Sequence, residues 1–195
     1  MILLLAPLRL LLLCLLVVGV PSVHASTTER PDEDMRALLR DTIEKANSFK
    51  DRFDAEVWLV DMSGRLQRYV QDPDERLFIL RLVHQESHRF NLKPELVLAV
   101  MHVESRFDRF AVSRVGAQGL MQVMPFWKEE IGTRDDNLTD IATNIRYGCA
   151  ILSAYLKREE GNLMRALARY NGSLGKTWYP ERVFNAWEQH WFVKY

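Results

Sequence analysis

The sequence predicts a mostly α-helical fold. Apolar residues recur at three- and four-residue steps through most of the chain, no stretch alternates apolar and polar residues for long enough to form a useful strand, and prolines or capping residues stand where the helical stretches begin. Residues 1–25 stand apart from this pattern. Leu, Val and Ala dominate them, and Arg9 is their one charge. That composition reads as an export signal, because the apolar run over 10–20 is shorter than the about 20 residues a bilayer span needs. Gly19, Pro21 and Ser22 close the run, and cleavage is expected after Ala25, with an uncleaved anchor as the alternative. Cys14 follows Leu13 inside the continuing apolar run, which speaks against a lipid-modified cysteine.

Residues 26–195 are then the size of one ordinary domain, long enough to bury a core. Within them, 26–75 reads as an N-terminal helical extension and 76–180 as the core that carries the motifs. Without the signal only Cys149 remains, so no intramolecular disulfide can form and stability has to come from packing. The 26 basic and 26 acidic residues balance, and no basic patch points to nucleic acid.

Residues 26–34 are polar and read as a solvated lead-in. A first helix is expected from Asp34 through Met35, Leu38, Leu39, Ile43 and Ala46, and a second from about Asp54 through Val57, Val60, Leu66 and Tyr69, weakened by Gly64. Asp72 should cap a third helix with Pro73 at its first position, and Asn91 should end it. Pro94 suits the first turn of a fourth. Residues 111–119, with Ser113, Gly116 and Gly119, read as a loop, followed by a short apolar segment that Pro125 stops. Helices resume over 140–157, through Ile141, Ile145, Cys149, Leu152 and Tyr155, and after Asn162, through Met164, Leu167 and Tyr170.

The fourth helix is apolar almost all round, which marks a helix buried in the core. It ends in Glu104. Helical steps put Glu104 on the face of Val97, Val100 and Met101, so its carboxylate emerges from an apolar stripe. Desolvation there favours the neutral acid and raises the pKa, the device that keeps a general acid protonated until a leaving group needs it. An isolated glutamate at a helix end can equally turn into solvent, and what favours chemistry is the neighbourhood: Ser105 follows at once, and the Gly116 and Gly119 loop can bring backbone close to a ligand.

Several blocks in order carry a family resemblance. Glu104-Ser105, Ala111-Val112-Ser113, Gly116-Ala117-Gln118-Gly119-Leu120-Met121-Gln122-Val123-Met124-Pro125, Asn144-Ile145 with Gly148, and Ala168-Arg169-Tyr170-Asn171-Gly172 resemble the soluble lytic transglycosylase domain, whose fold is lysozyme-like. The resemblance covers roughly residues 77–179. It implies a peptidoglycan lytic transglycosylase that needs no cofactor. Glu104 would protonate the glycosidic oxygen between N-acetylmuramic acid and N-acetylglucosamine, the substrate's N-acetyl group would attack the anomeric carbon, and Glu104 would then take a proton from the C6 hydroxyl to close a 1,6-anhydro ring. One carboxylate would suffice, where most glycosidases use two.

The resemblance further implies that Ser105, Ser113, Gly119, Gln122, Met124, Tyr170 and Asn171 bind substrate. Ser113 and Gln122 would hydrogen-bond the sugar, Met124 would form an apolar wall, Tyr170 would aim its hydroxyl at Glu104 or the acetamido group, and Asn171 would orient the substrate. The chain departs from the family at Gly172-Ser173 and again over 178–183, so Glu181 receives no catalytic role; Trp178 is a candidate for stacking on sugar, and Trp187 for packing. Asp108 is expected to stabilise a turn. A hydrolase of the goose-lysozyme kind uses the same acid with water as acceptor, and a non-catalytic wall-binding protein could keep the same cleft; both readings stay open on sequence. His84 and His88 stand four apart, but the order His-Gln-Glu-Ser-His lacks the metalloprotease pattern and no third ligand is evident, so no metal site is expected. The expected setting is outside the cytoplasm, as a periplasmic monomer acting on glycan strands, with a cell-envelope machine as partner by analogy.

Overall fold

A computed structural model describes residues 52–193, and the expectations for the export signal, the lead-in and the helix over 34–46 lie outside them. The described chain runs through α1 (Arg52–Leu66), α2 (Pro73–Arg89), α3 (Pro94–Glu104), the short α4 (Trp127–Ile131), α5 (Ile141–Arg158), α6 (Leu163–Tyr170), α7 (Trp178–Ala186) and a π-helical turn (Trp187–Trp191). The fold class is mostly α, and the only β-type pairing among the described residues is a pair of isolated bridges, Val112 with Gln118 and Gln118 with Val123. These residues lie in one compact unit.

Local chemistry sets the helix starts. The Asp72 side chain accepts from Asp74 N with Pro73 at the first position, Asp140 accepts from Thr143 N, and Asn162 accepts from Arg165 N, each satisfying an amide that the first turn leaves without a helical partner. Helix α2 stops at Arg89, where Asn91 takes the left-handed conformation (φ 55°) and Leu92 N donates to Ser87 O at 2.7 Å. In α1 the buried stripe is Ala55, Trp58, Leu59, Met62 and Leu66, and Gly64 is tolerated on the exposed side. Val57 was expected on that stripe but is 54 % exposed, because a helix that buries Trp58 and Leu59 turns position 57 outward. Met164 in α6 is likewise exposed, with Ala166, Leu167 and Ala168 buried instead.

Helix α3 sits at the centre. Residues 97–101 are fully buried, packed by α2, α7 and the π-helical turn. On its side away from Glu104, Trp191 Nε1 donates to His102 Nδ1 at 3.3 Å and His102 Nε2 meets the Tyr69 hydroxyl at 3.1 Å. Burial first, then the charges of His190, Arg106 and Arg68, pushes His102 down to about 4, so the ring is neutral and can accept from Trp191. Helix α5 carries α6 through Glu159, a buried carboxylate that accepts from both Arg165 and Arg169.

The loop between α3 and α4 is held by side chains because it has no sheet to join. Asn144, buried on α5, donates through Nδ2 to Gln118 O and Leu138 O at 2.8 Å each and accepts from Met121 N at 2.7 Å. Gly119 (φ 76°) lies so close that a Cβ would overlap Asn144 Nδ2 and Leu138 O. Replacing Asn144 by Ala should therefore leave Met121 N and Leu138 O without partners, strip Gln118 O to its one bond from Val123 N, and destabilise the fold by about 2–4 kcal/mol. Urea unfolding checks this against Asn162→Ala, which removes one exposed cap and should cost about 1 kcal/mol; equal losses in the two variants would contradict the loop-pinning role.

Candidate active site

Glu104 is the last residue of α3, one and two turns beyond the fully buried Val100, Met101 and Val97. Its carboxylate meets the start of α7. Tyr179, 1 % exposed, donates its hydroxyl to Glu104 Oε1 at 2.6 Å. Burial raises the Glu104 carboxyl from its ordinary 4.5 to about 7, against the opposing pulls of the Tyr179 bond and of the Arg182 guanidinium one turn further along α7. The Tyr179 hydroxyl itself is held well above its ordinary value, by burial first and then by the Glu104 charge, so it stays a donor. The result is a carboxyl group that exchanges its proton near neutrality beside a fixed donor, the property a group needs to serve as acid and then as base.

The other sequence candidates divide by what they touch. Tyr170 ends α6 and its titration feels the Glu104 charge, but its hydroxyl donates to Met121 O at 2.8 Å. The tyrosine bound to Glu104 is thus Tyr179 and not Tyr170, because α7 packs directly on α3 while Tyr170 is used to hold the loop. Ser105 Oγ donates to Leu120 O at 2.7 Å and accepts from Phe107 N, tying the loop to the end of α3. Ser113 Oγ accepts from Ala117 N at 3.0 Å, and Gln122 Nε2 donates to Ala111 O and Gly119 O at 3.1 and 3.0 Å. Gln122 adopts φ 49°, so the amide that was expected to face sugar has its nitrogen committed to the loop and only its oxygen to offer. Met124 and Asn171 are half-buried, and Gly119 makes its close approach to Asn144. Asp108 accepts from Phe110 N at 2.9 Å, the expected turn role.

A scan against family models matches the transglycosylase SLT domain over residues 81–189, more than half of the chain. The chain belongs to that family. Among curated proteins it is similar to the transglycosylase of Enterobacteria phage PRD1, 40 % identical over 104 residues, covering 50 % of this chain and 38 % of that protein. It is also similar to membrane-bound lytic murein transglycosylase C of Yersinia enterocolitica, 33 % identical over 123 residues, covering 55 % of this chain and 34 % of that protein. The chain thus matches little more than a third of the length of either relative. A solved structure of an inactive mutant of lytic transglycosylase Slt from Pseudomonas aeruginosa is similar with a TM-score of 0.44 and 23 % identity, over 78 % of this chain and 33 % of that one.

Within the family domain, sequence reasoning placed the carboxylate but missed Tyr179 and Arg182. The usable signal was the spacing of the two, three apart at the start of a helix, which puts them on one face. Among the described residues no group of three His, Cys, Asp or Glu side chains could hold a metal ion. The His84 and His88 rings lie side by side with centroids 4.4 Å apart and planes tilted by 43°, and burial and the His88 charge push His84 down to about 3.

The raised carboxyl has a consequence for stability. A group whose folded-state pKa lies above its unfolded value stabilises the fold below the unfolded value and loses that contribution as pH rises through the folded one, here between 4.5 and about 7. Glu104→Gln should therefore raise stability by about 1–3 kcal/mol at pH 8 and leave it unchanged at pH 4. Thermal unfolding of both proteins at both values tests this, and a gain over the native protein no larger at pH 8 than at pH 4 would contradict a desolvated carboxyl.

Proposed function

We propose that the protein is a peptidoglycan lytic transglycosylase in which Glu104 is the single acid and base. The observation that carries the reading is the buried carboxyl raised to about 7 and bound by Tyr179, in a chain that belongs to the transglycosylase SLT domain family. Protonated Glu104 gives its proton to the glycosidic oxygen between N-acetylmuramic acid and N-acetylglucosamine as the anomeric C–O bond breaks. The substrate's acetamido oxygen bonds to the anomeric carbon and carries the charge. Glu104, now a carboxylate, takes the proton of the muramic C6 hydroxyl, whose oxygen displaces the acetamido oxygen and closes the 1,6-anhydro ring. No water is consumed and the acid is restored.

The acetamido oxygen takes the place of a second carboxylate, so one carboxyl serves both steps, and the Arg182 cation favours its charged form between them. The Tyr179 bond steadies the carboxylate between them. Tyr170, Asn171, Met124, Ser113 and the free amide oxygen of Gln122 are proposed to line the sugar site, and Ser105 and Gly119 to support it from behind. Such an enzyme works where peptidoglycan lies, outside the cytoplasm, consistent with an export signal at residues 1–25; among the described residues no helix is long and apolar enough to cross a membrane.

Glu104→Gln should lower cleavage of purified peptidoglycan by about 10²–10⁴. Native digests analysed by mass spectrometry should carry muramic ends lighter by one water than reducing ends. Reducing ends would establish water as the acceptor, and full lysis by Glu104→Gln would remove the assignment of the acid. The rate should fall as pH rises through about 7, where the acid is lost. Tyr179→Phe removes a bond that lowers that pKa, so its alkaline limb should move to higher pH; an unmoved limb would mean the tyrosine does not bear on the acid.

A further inference from the structure

A cleft of about 480 Å³ lies at the start of α2, bounded by residues 69–72, Glu75 and residues 106–110, and neither Glu104 nor Tyr179 lines it. One group in it has incomplete hydrogen bonding. Arg109 Nε is buried with no hydrogen-bond partner, while Nη1 stands 3.8 Å from Glu75 Oε1, too far for a hydrogen bond. The guanidinium lies 4.8 Å from the ring centre of Phe110, which holds its plane and leaves its edge unused. A guanidinium edge with a vacant Nε is the geometry that takes a carboxylate through two parallel hydrogen bonds.

The rest of the cleft is not built for a bare anion. Asp72, Glu75 and Asp108 stand in the same lining as Arg106 and Arg109, three carboxylates to two guanidinium groups. Asp72 and Asp108 are fixed there, each by one oxygen that accepts a backbone amide at 2.9 Å, from Asp74 and Phe110 respectively. A ligand bringing only negative charge meets these acids, whereas one that adds a cation beside its carboxylate satisfies both signs.

We propose that this cleft binds the zwitterionic head of an amino acid, an α-carboxylate and an α-ammonium on one carbon, with the carboxylate on the Arg109 edge and the ammonium among Asp72, Glu75 and Asp108. The source of such a head rests on the proposed function: the side-chain end of a diamino acid in a wall peptide carries both groups on one carbon. Bound there, a peptide stem would fix where along a strand the enzyme stands, separately from the grip on the sugars.

The test titrates meso-diaminopimelic acid into the ¹⁵N-labelled protein and follows the Arg109 Nε–H resonance, with pimelic acid, the same chain without ammonium groups, as the control. The expected result is a saturable shift with the diamino acid, in the Arg109 Nε–H and in the backbone amides of Asp108 and Phe110 beside it, binding of pimelic acid weaker by on the order of tenfold, and loss of the backbone-amide shifts in Arg109→Gln. Should Arg109→Gln fail to fold, Glu75→Gln keeps the guanidinium and should weaken the diamino acid several-fold without weakening pimelic acid. No saturable shift, or equal affinity for the two probes, overturns the proposal. The same titration on Glu104→Gln should be unchanged. Binding by a protein that cleaves no peptidoglycan would therefore sink the proposed function and leave the cleft standing, and cleavage without binding would do the reverse.

Discussion

The hydrogen bond from the Tyr179 hydroxyl to Glu104 Oε1, at 2.6 Å, joins the end of the buried helix α3 to the start of α7, and the proposed chemistry depends on that junction. Two opposed effects meet in it. The apolar core that surrounds α3 makes the charged form of Glu104 unfavourable, and Tyr179 with Arg182 recovers part of that loss, leaving the carboxyl near neutrality. A carboxyl deeper in the core would stay protonated, and one facing solvent would stay ionised. The position at the last turn of α3 gives an intermediate case.

The rest of the fold serves to keep that junction in place. On the far side of α3, Trp191 and Tyr69 grip a neutral His102, which anchors the C-terminal turn that follows α7. On the near side, the loop over residues 105–125 has no regular pairing beyond its two bridges and is shaped by side chains: Ser105 on Leu120 O, Tyr170 on Met121 O, and Asn144 on three backbone groups. Several residues of the family pattern that look like substrate contacts in one dimension, Ser105, Ser113, Gln122 and Tyr170 among them, therefore carry the loop's own hydrogen bonds.

How much was legible in the sequence follows from the range of each interaction. Asp72 with Pro73, Pro94 and Asn162 announced helix starts because capping acts within one turn. The all-round apolar character of residues 96–101 announced burial of α3, and with it the raised carboxyl. Val57 and Met164 were misplaced because each stands at the edge of an apolar stripe, where a shift of one position turns a side chain from core to solvent. The short α4 and the π-helical turn lack a periodic pattern long enough to read. Tyr179 lies 75 positions from its partner, and only the packing of α7 on α3 brings the two together.

The central claim is that Glu104 exchanges its proton near neutrality in the free protein. Carbon-13 NMR of the glutamate side-chain carboxyls, with Glu104 assigned by its absence in Glu104→Gln, measures this directly. The midpoint of Glu104 is expected near 7, and a midpoint at the ordinary 4.5 would contradict its role as acid and then base.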